Sequence, residues 1–159
     1  MNNLITIKIL SGVPASGKTT WARNFIAQNP DTKRINRDDL RMMFDNSRNT
    51  DGNENYVNNI KLSLIKSSID LGKNLILDDT HCYMDHLSKI IDYIRIYAND
   101  NHKNIKIELI DFQVDINDCI KRNKERDTNI KNSAIYHMNK SKSNIVISDL
   151  NIDNHIIIK

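Results

Sequence analysis

The stretch Gly12-Val13-Pro14-Ala15-Ser16-Gly17-Lys18-Thr19 is a complete Gly-x-x-x-x-Gly-Lys-Thr run, and its setting decides how the whole chain is read. Ahead of it lies Leu4 to Leu10, an apolar run of strand length. Behind it, Thr19-Thr20-Trp21-Ala22-Arg23-Asn24-Phe25-Ile26 reads as the opening of a helix. Strand, glycine loop and helix together describe a phosphate cradle. Glycines let backbone N–H groups converge on phosphate oxygens, and the helix N-terminus adds partial positive charge. Gly12, Pro14, Ala15, Ser16, Gly17, Lys18, Thr19 and Thr20 would then surround the phosphates of ATP. Lys18 would reach the β- and γ-phosphates, and the Thr19 hydroxyl would hold Mg²⁺. A glycine-rich turn without a ligand is the competing reading; the full set of Gly, Gly, Lys and Thr behind a strand argues against it.

The 159 residues suit one domain spanning 1–159, with a core that needs neither disulfide nor metal. A net charge of +3 carries no global polyelectrolyte signature, so any nucleic-acid footprint must be local. Cys82 and Cys119 lie far apart, which argues against structural zinc and against a secreted disulfide scaffold. Leu4 to Leu10 is short and contains Lys8, so it is not a secretory leader, and no apolar run approaches membrane-spanning length. The expectation is a soluble, intracellular, cytoplasmic protein with no membrane partner. An oligomer is neither required nor excluded. Of four glycines and two prolines, Gly12, Gly17 and Pro14 stand in the loop, leaving no linker that would mark a second domain. The polar run Asn46 to Asn55 reads as a surface loop.

Beyond the loop, strand and helix alternate. Lys33 to Asn36 is a short strand and Asp38 to Phe44 a helical turn or two. Tyr56 to Leu71 is a helix with Tyr56, Ile60, Leu64 and Leu71 among its apolar positions, stopped by Gly72. Asn74 to Asp78 is a strand, Met84 to Ala98 a helix and Ile105 to Phe112 a strand. Asp115 caps a helix through Arg126, a further helix spans Ile130 to Lys142, and His155 to Lys159 forms a closing strand. Such an order implies an α/β fold: a mostly parallel sheet with helices on both faces and ligands at the carboxyl ends of its strands.

Chemistry-bearing residues fall at those ends. Asp78 and Asp79 follow the apolar Leu75-Ile76-Leu77, where a magnesium-side carboxylate belongs, and strand alternation lets only one face the site. Asp38 and Arg41, three apart on a helix, pair a candidate base with a phosphate-binding guanidinium. Arg122 and Arg126 lie in a basic stretch, Lys121 to Lys142, with seven Lys or Arg against two Asp or Glu. In a phosphate-loop kinase, such a late arginine-bearing helix pair forms a lid over the transferred group. Trp21 reads as core packing rather than a base-stacking platform. His81 is the one histidine placed near the strand ends.

Gly12 to Arg23, Phe25-Ile26-Ala27, Asn29-Pro30 and Ile35-Asn36-Arg37-Asp38-Asp39-x-Arg41 closely resemble the 5′-kinase domain of phage polynucleotide kinase-phosphatase. Leu77-x-Asp79-Thr80 and Lys121-Arg122-Asn123-x-x-Arg126-x-Thr128 resemble its later motifs, in the same order. The resemblance spans Leu4 to Met138 and implies a P-loop kinase three-layer sandwich with a helical lid at about residues 113–142, without the phosphatase half. It implies ATP and Mg²⁺ at Lys18 and Thr19, with Asp79 rather than Asp78 as the strand-end acid. Asp38 would be the general base on a 5′-hydroxyl. Arg41 would bind acceptor phosphate beside Thr80, with His81, at a place where the family more often has a small polar residue, a further candidate there; Arg122 and Arg126 would be lid arginines on the ATP phosphates. The implied partner is a single-stranded or end-frayed DNA or RNA. Two rivals stay open: a small-molecule kinase acting on a nucleoside, sugar or antibiotic hydroxyl, and a non-catalytic ATP-binding module. The Asp38–Arg41 pair speaks against the last, which needs no acceptor base.

Overall fold

The strands that can be buried on both faces are the ones without alternation, and they occupy the middle of the sheet. β1 (Ile5–Ser11), β3 (Asn74–Leu77) and β4 (Ile105–Phe112) carry runs of Ile and Leu, as parallel strands covered by helices do. The computed structural model describes residues 4–46, 50–126 and 130–159. Two outer strands, β2 (Thr32–Ile35) and β5 (Asn154–Ile158), complete a five-stranded parallel sheet in the order β2-β3-β1-β4-β5. Register sets Ile7 beside Leu75 and Ile107, and Ile9 beside Leu77 and Leu109. The chain moves outward from β1 first to one side and then to the other, so a crevice opens at its carboxyl end.

Among the described residues, six α-helices connect and cover the strands: α1 (Lys18–Gln28), α2 (Arg37–Asp45), α3 (Asp51–Asp70), α4 (Met84–Asp100), α5 (Ile116–Lys124) and α6 (Asn132–Ser143). Ile7, Ile9, Leu75, Leu77, Ile107 and Leu109 meet Ile65 and Ile69 of α3 and Leu87, Ile91 and Ile94 of α4. On the opposite face, Leu10, Ile76, Ile110 and Phe112 meet Ala22, Trp21 and Phe25 of α1. A smaller cluster of Val13, Cys82, Cys119 and Ile135 seats α5 and α6 behind the glycine loop. Each such side chain, once buried, contributes about 1.5–3 kcal/mol. Among the described residues, no helix is long and apolar enough to cross a membrane.

The expected P-loop kinase sandwich is thus present, with three local departures. Asp51 to Asn55 are helical rather than loop: the Thr50 hydroxyl accepts the Asn53 N–H at 3.4 Å, and Asp51 and Glu54 complement the positive end of α3. Ser47, Arg48 and Asn49 of that polar run lie outside the described residues, as do Asp127, Thr128 and Asn129. The buried stripe of α3 is Val57, Lys61, Ile65 and Ile69, whereas Tyr56, Leu64 and Leu71 are exposed. A charged residue occupying that stripe hid it. Finally, α5 ends at Lys124, so Arg126 follows the helix instead of closing it.

On the α1 face, the sheet also carries a polar cluster, with Lys8 over the ring of Phe25 at 5.2 Å. Lys8 and Lys106 both pair with Glu108, and Asn154 donates to it at 3.1 Å. Burial raises the Glu108 pKa, but these three partners outweigh it and bring the value down to about 2. A depressed carboxyl stabilises the fold above its unfolded pKa and loses that contribution as pH falls through the folded one. Glu108→Gln should therefore lower stability by ~1–2 kcal/mol at pH 7. In urea melts, the gap to wild type should begin to close below the ordinary value of 4.5 and vanish near about 2. A gap unchanged across that window would remove the ion pairs from the fold's stability.

Candidate active site

A cavity of about 640 Å³ runs across the carboxyl ends of β1, β2 and β3. The glycine loop forms one end. Gly12 is packed too closely for any side chain, since an added Cβ would sit 2.8 Å from Ser16 Oγ and 2.9 Å from Phe112 Cβ. Gly17, at φ +95°, turns the chain into α1 in a conformation only glycine adopts without strain. Ala15 takes φ +63° without being glycine, a strain of roughly 1–2 kcal/mol held within the loop. Lys18 is buried, and its Nζ donates to the Val13 carbonyl at 2.8 Å and to Ser16 Oγ at 3.2 Å. Desolvation pushes its pKa down to about 8, with the charge of Arg126 acting in the same direction. Pro14, Ala15, Gly17, Lys18, Thr19 and Thr20 all line the cavity, while Gly12 and Ser16 support it from below.

The two strand-end acids separate as alternation requires. Asp78 takes the Arg34 Nε at 2.7 Å and Nη2 at 2.6 Å, both on Oδ2. Its Oδ1 is buried and, among the described residues, takes no hydrogen bond of good geometry. Burial raises its pKa against the pull of Arg34, Thr19 and Lys18, which favour the charged form. Asp79 instead accepts the Arg37 backbone N–H at 3.0 Å on Oδ1 and Lys61 Nζ at 2.5 Å on Oδ2. Burial opposes its charge, but Lys61 foremost and Arg37 after it hold the carboxyl well below the usual range. The acid facing Thr19 is therefore Asp78, whereas the family resemblance pointed to Asp79. Asp78 shares a face with Ile76 and α1, and Asp79 shares one with Leu77 and α3.

At the far end, Asp38 and Arg41 both line the cavity and bond to each other through Arg41 Nη1 and Asp38 Oδ1. Asp38 is 84% exposed there, and Arg41 only 14%. Glu54 grips Arg41 from behind, taking Nε on one oxygen and Nη2 on the other, the latter at 2.7 Å. Arg122, Arg126 and Thr80 also line the cavity, Arg126 near enough for its charge to act on Lys18, and the Thr80 carbonyl accepts the Gly12 N–H at 2.9 Å. Trp21 stacks on Phe25 at 5.2 Å and meets Phe112 edge-on at 6.1 Å, yet its rim reaches the cavity as well.

His81, expected at the acceptor, is buried outside the cavity lining. Its backbone turns at φ +41° and its Nδ1 donates to the Leu10 carbonyl at 2.8 Å, tying the loop after β3 to β1. Burial brings its pKa down to about 4, so the ring is neutral at pH 7. Four residues escaped the sequence reading: Arg34, Arg37, Glu54 and Lys61. Lys61 had a signal, since a lysine in the period-four run Val57, Lys61, Ile65, Ile69 must meet a buried anion. Glu54 had none, because its partner comes from another helix.

Three solved structures share this architecture. A chain of the Pnkp1/Rnl/Hen1 RNA repair complex superposes with a TM-score of 0.72 at 24% identity, covering 90% of this chain and 45% of its own length. A fungal RNA kinase gives 0.70 at 15% identity, covering 99% of this chain and 75% of that one. A gluconokinase from Sinorhizobium meliloti 1021 gives 0.55 at 14% identity, covering 97% and 81%. This chain thus spans less than half the length of the first of them. The AAA domain model matches residues 7–142, and with the P-loop kinase fold around it the chain belongs to the AAA domain family.

Proposed function

We propose that this chain is an ATP-dependent kinase that transfers the γ-phosphate to the 5′-hydroxyl of a DNA or RNA strand, single-stranded or frayed at its end. The observation that carries the reading is one cavity with a phosphate cradle at one end and a held, exposed carboxylate, Asp38, at the other. The names of the RNA repair complex and the RNA kinase among structural relatives support the acceptor class, and the gluconokinase supports the small-molecule alternative.

In this reading Asp38 receives the proton of the attacking hydroxyl. The freed oxygen forms the bond to the γ-phosphorus, the bond to the β–γ bridging oxygen breaks, and ADP leaves with that electron pair. Arg41 fixes Oδ1 of Asp38 and leaves the other oxygen for the hydroxyl. Lys18, Arg122 and Arg126 oppose charge on the transferred group and the leaving phosphates. The buried Asp78 Oδ1, without a well-aligned donor among the described residues, offers with the Thr19 hydroxyl the hard oxygen donors that Mg²⁺ takes. When bound there, the ion would neutralise charge on the β- and γ-oxygens. The metal role expected of Asp79 passes to Asp78, and Asp79 becomes the anchor of the acceptor side.

Transfer of label from γ-labelled ATP to 5′-hydroxyl oligonucleotides and to a panel of small alcohols tests this directly. Lys18→Ala should abolish transfer. Asp38→Asn should lower kcat on the order of 10²–10⁴-fold while nucleotide affinity stays near wild type. Loss of affinity without loss of kcat would reassign Asp38, and preferred transfer to an uncharged alcohol would decide for the small-molecule kinase.

The two acids should differ. Asp78→Asn should raise the magnesium concentration required for half-maximal rate, whereas Asp79→Asn should leave that requirement unchanged and raise the KM for acceptor. A shift in magnesium requirement at Asp79 alone would restore the assignment drawn from the resemblance.

A further inference from the structure

A second cavity, of about 550 Å³, lies between the carboxyl end of β4 and the last turn of α6. Among the described residues, none lines both this cavity and the active-site one. Strand alternation brings Leu109 and Asp111 of β4 to one face, and register sets Asp111 beside Ser11 of β1. Val13, Leu109, Val114, Ile145 and Ile147 give the cavity apolar walls. Its volume lies in the range that small organic ligands occupy.

The buried charge in it is a carboxylate, since Asp111 is only 6% exposed. Its Oδ2 accepts Gln113 Nε2 at 2.9 Å and lies 3.2 Å from His155 Nε2. Lys142 of α6 forms an ion pair with Oδ1. Yet that oxygen is buried and, among the described residues, takes no hydrogen bond of good geometry. Burial works against the charge, but Lys142 foremost and Gln113 after it hold the carboxyl below its ordinary range. An ionised, buried oxygen with a misaligned partner is one that a better-placed donor can claim.

The charges on the wall restrict what that donor can be. Asp111 and Asp115 stand there against one ammonium, Lys142. An anionic ligand would meet two carboxylates, and the ammonium is already committed to Asp111. A metal ion lacks its ligands, because no group of three His, Cys, Asp or Glu among the described residues could hold one. A cation carried on an apolar body serves the carboxylate and the walls together.

We propose that this cavity is a binding site for an organic monocation with an apolar body, whose ammonium or amidinium group donates to Asp111 Oδ1 in competition with Lys142. The site is independent of the kinase reading, because it shares no lining residue with the active-site cavity.

Calorimetry on the whole chain tests it with benzamidine as the probe. Benzoate and benzyl alcohol are its anionic and neutral matches, and methylguanidinium is a cation without the apolar body. Wild type should bind benzamidine saturably, with a Kd on the order of 0.1–1 mM, and the other three at least about tenfold more weakly. Asp111→Asn should weaken benzamidine about 10- to 100-fold, the range of one charge-assisted hydrogen bond. Lys142→Met should tighten it, because the competing cation is gone, and benzamidine should raise the Tm of that variant more than that of wild type. Asn139 lines the cavity from an exposed position on α6, where substitution leaves the fold intact. Asn139→Lys should weaken binding and Asn139→Glu strengthen it, each by roughly 1.5- to 5-fold. Four results would overturn the proposal: no saturable binding, benzoate or benzyl alcohol bound as tightly as benzamidine, weaker binding in Lys142→Met, or equal binding in the two Asn139 variants. Binding lost in Asp38→Asn and kept in Asp111→Asn would move the cation to the active-site cavity and overturn it as well.

Discussion

Two adjacent carboxylates at the end of a buried strand must be neutralised from opposite sides of the sheet. Asp78 and Asp79 are 1% and 7% exposed, and an unpaired charge at such a site costs several kcal/mol. Because successive side chains alternate, one partner set cannot serve both. Arg34 reaches Asp78 from the edge strand β2, while Lys61 reaches Asp79 from within α3. Asn36 ties the two halves together: its amide donates to the Asp78 carbonyl and its side-chain oxygen caps α2 by accepting the Asp39 N–H at 2.9 Å. The cavity's two ends therefore inherit their separation from the pleat of β3.

That separation fixes the order in which the parts depend on one another. α2 starts where β2 stops, so Arg37, Asp38 and Arg41 are carried on a helix whose first turn is bonded to the strand-end acids. A site built on a pinned helix holds its geometry better than one built on a loop. Arg122 and Arg126 stand differently. α5 and α6 rest on a small cluster around Val13, Cys119 and Ile135, and few apolar contacts link them to the main core. Low contact density is where local opening requires least free energy. Asp38 thus sits on a pinned helix, whereas Arg122 and Arg126 sit on or just beyond the less anchored α5.

Most elements were legible because parallel α/β sequences are explicit about them. Ile105 to Phe112 and the phosphate loop with its flanking strand and helix stand where periodicity and the glycine pattern put them. What stayed hidden shares one cause, a polar residue whose reason is a distant partner. Lys61 broke the apolar stripe of α3 and shifted the expected buried face to Tyr56 and Leu64. The polarity of Asp51 to Asn55 suggested a loop, although those acids and the Thr50 cap are what begin the helix. His81 shows the limit at a single residue: its place in the chain was right for the site, but a positive φ turned its ring into the core. For the same reason Glu54 was invisible until α2 and α3 were seen side by side.

The distribution of charge then explains how one cavity could bind a polyanionic donor tightly without trapping its acceptor. Uniform binding of both substrates would lower KM without raising kcat, whereas charge opposed to the migrating phosphoryl group acts where charge is redistributed. In the proposed reading, Lys18, Arg122 and Arg126 would oppose donor charge, and the buried Lys18 now donates to the Val13 carbonyl that a phosphate would replace. Around Asp38, the cations Arg37, Arg41 and Lys61 face the anions Asp38, Glu54 and Asp79 among the described residues. If the proposed transfer takes place here, charge would act on the migrating phosphate, while Glu54, through Arg41, would act by fixing the orientation of Asp38.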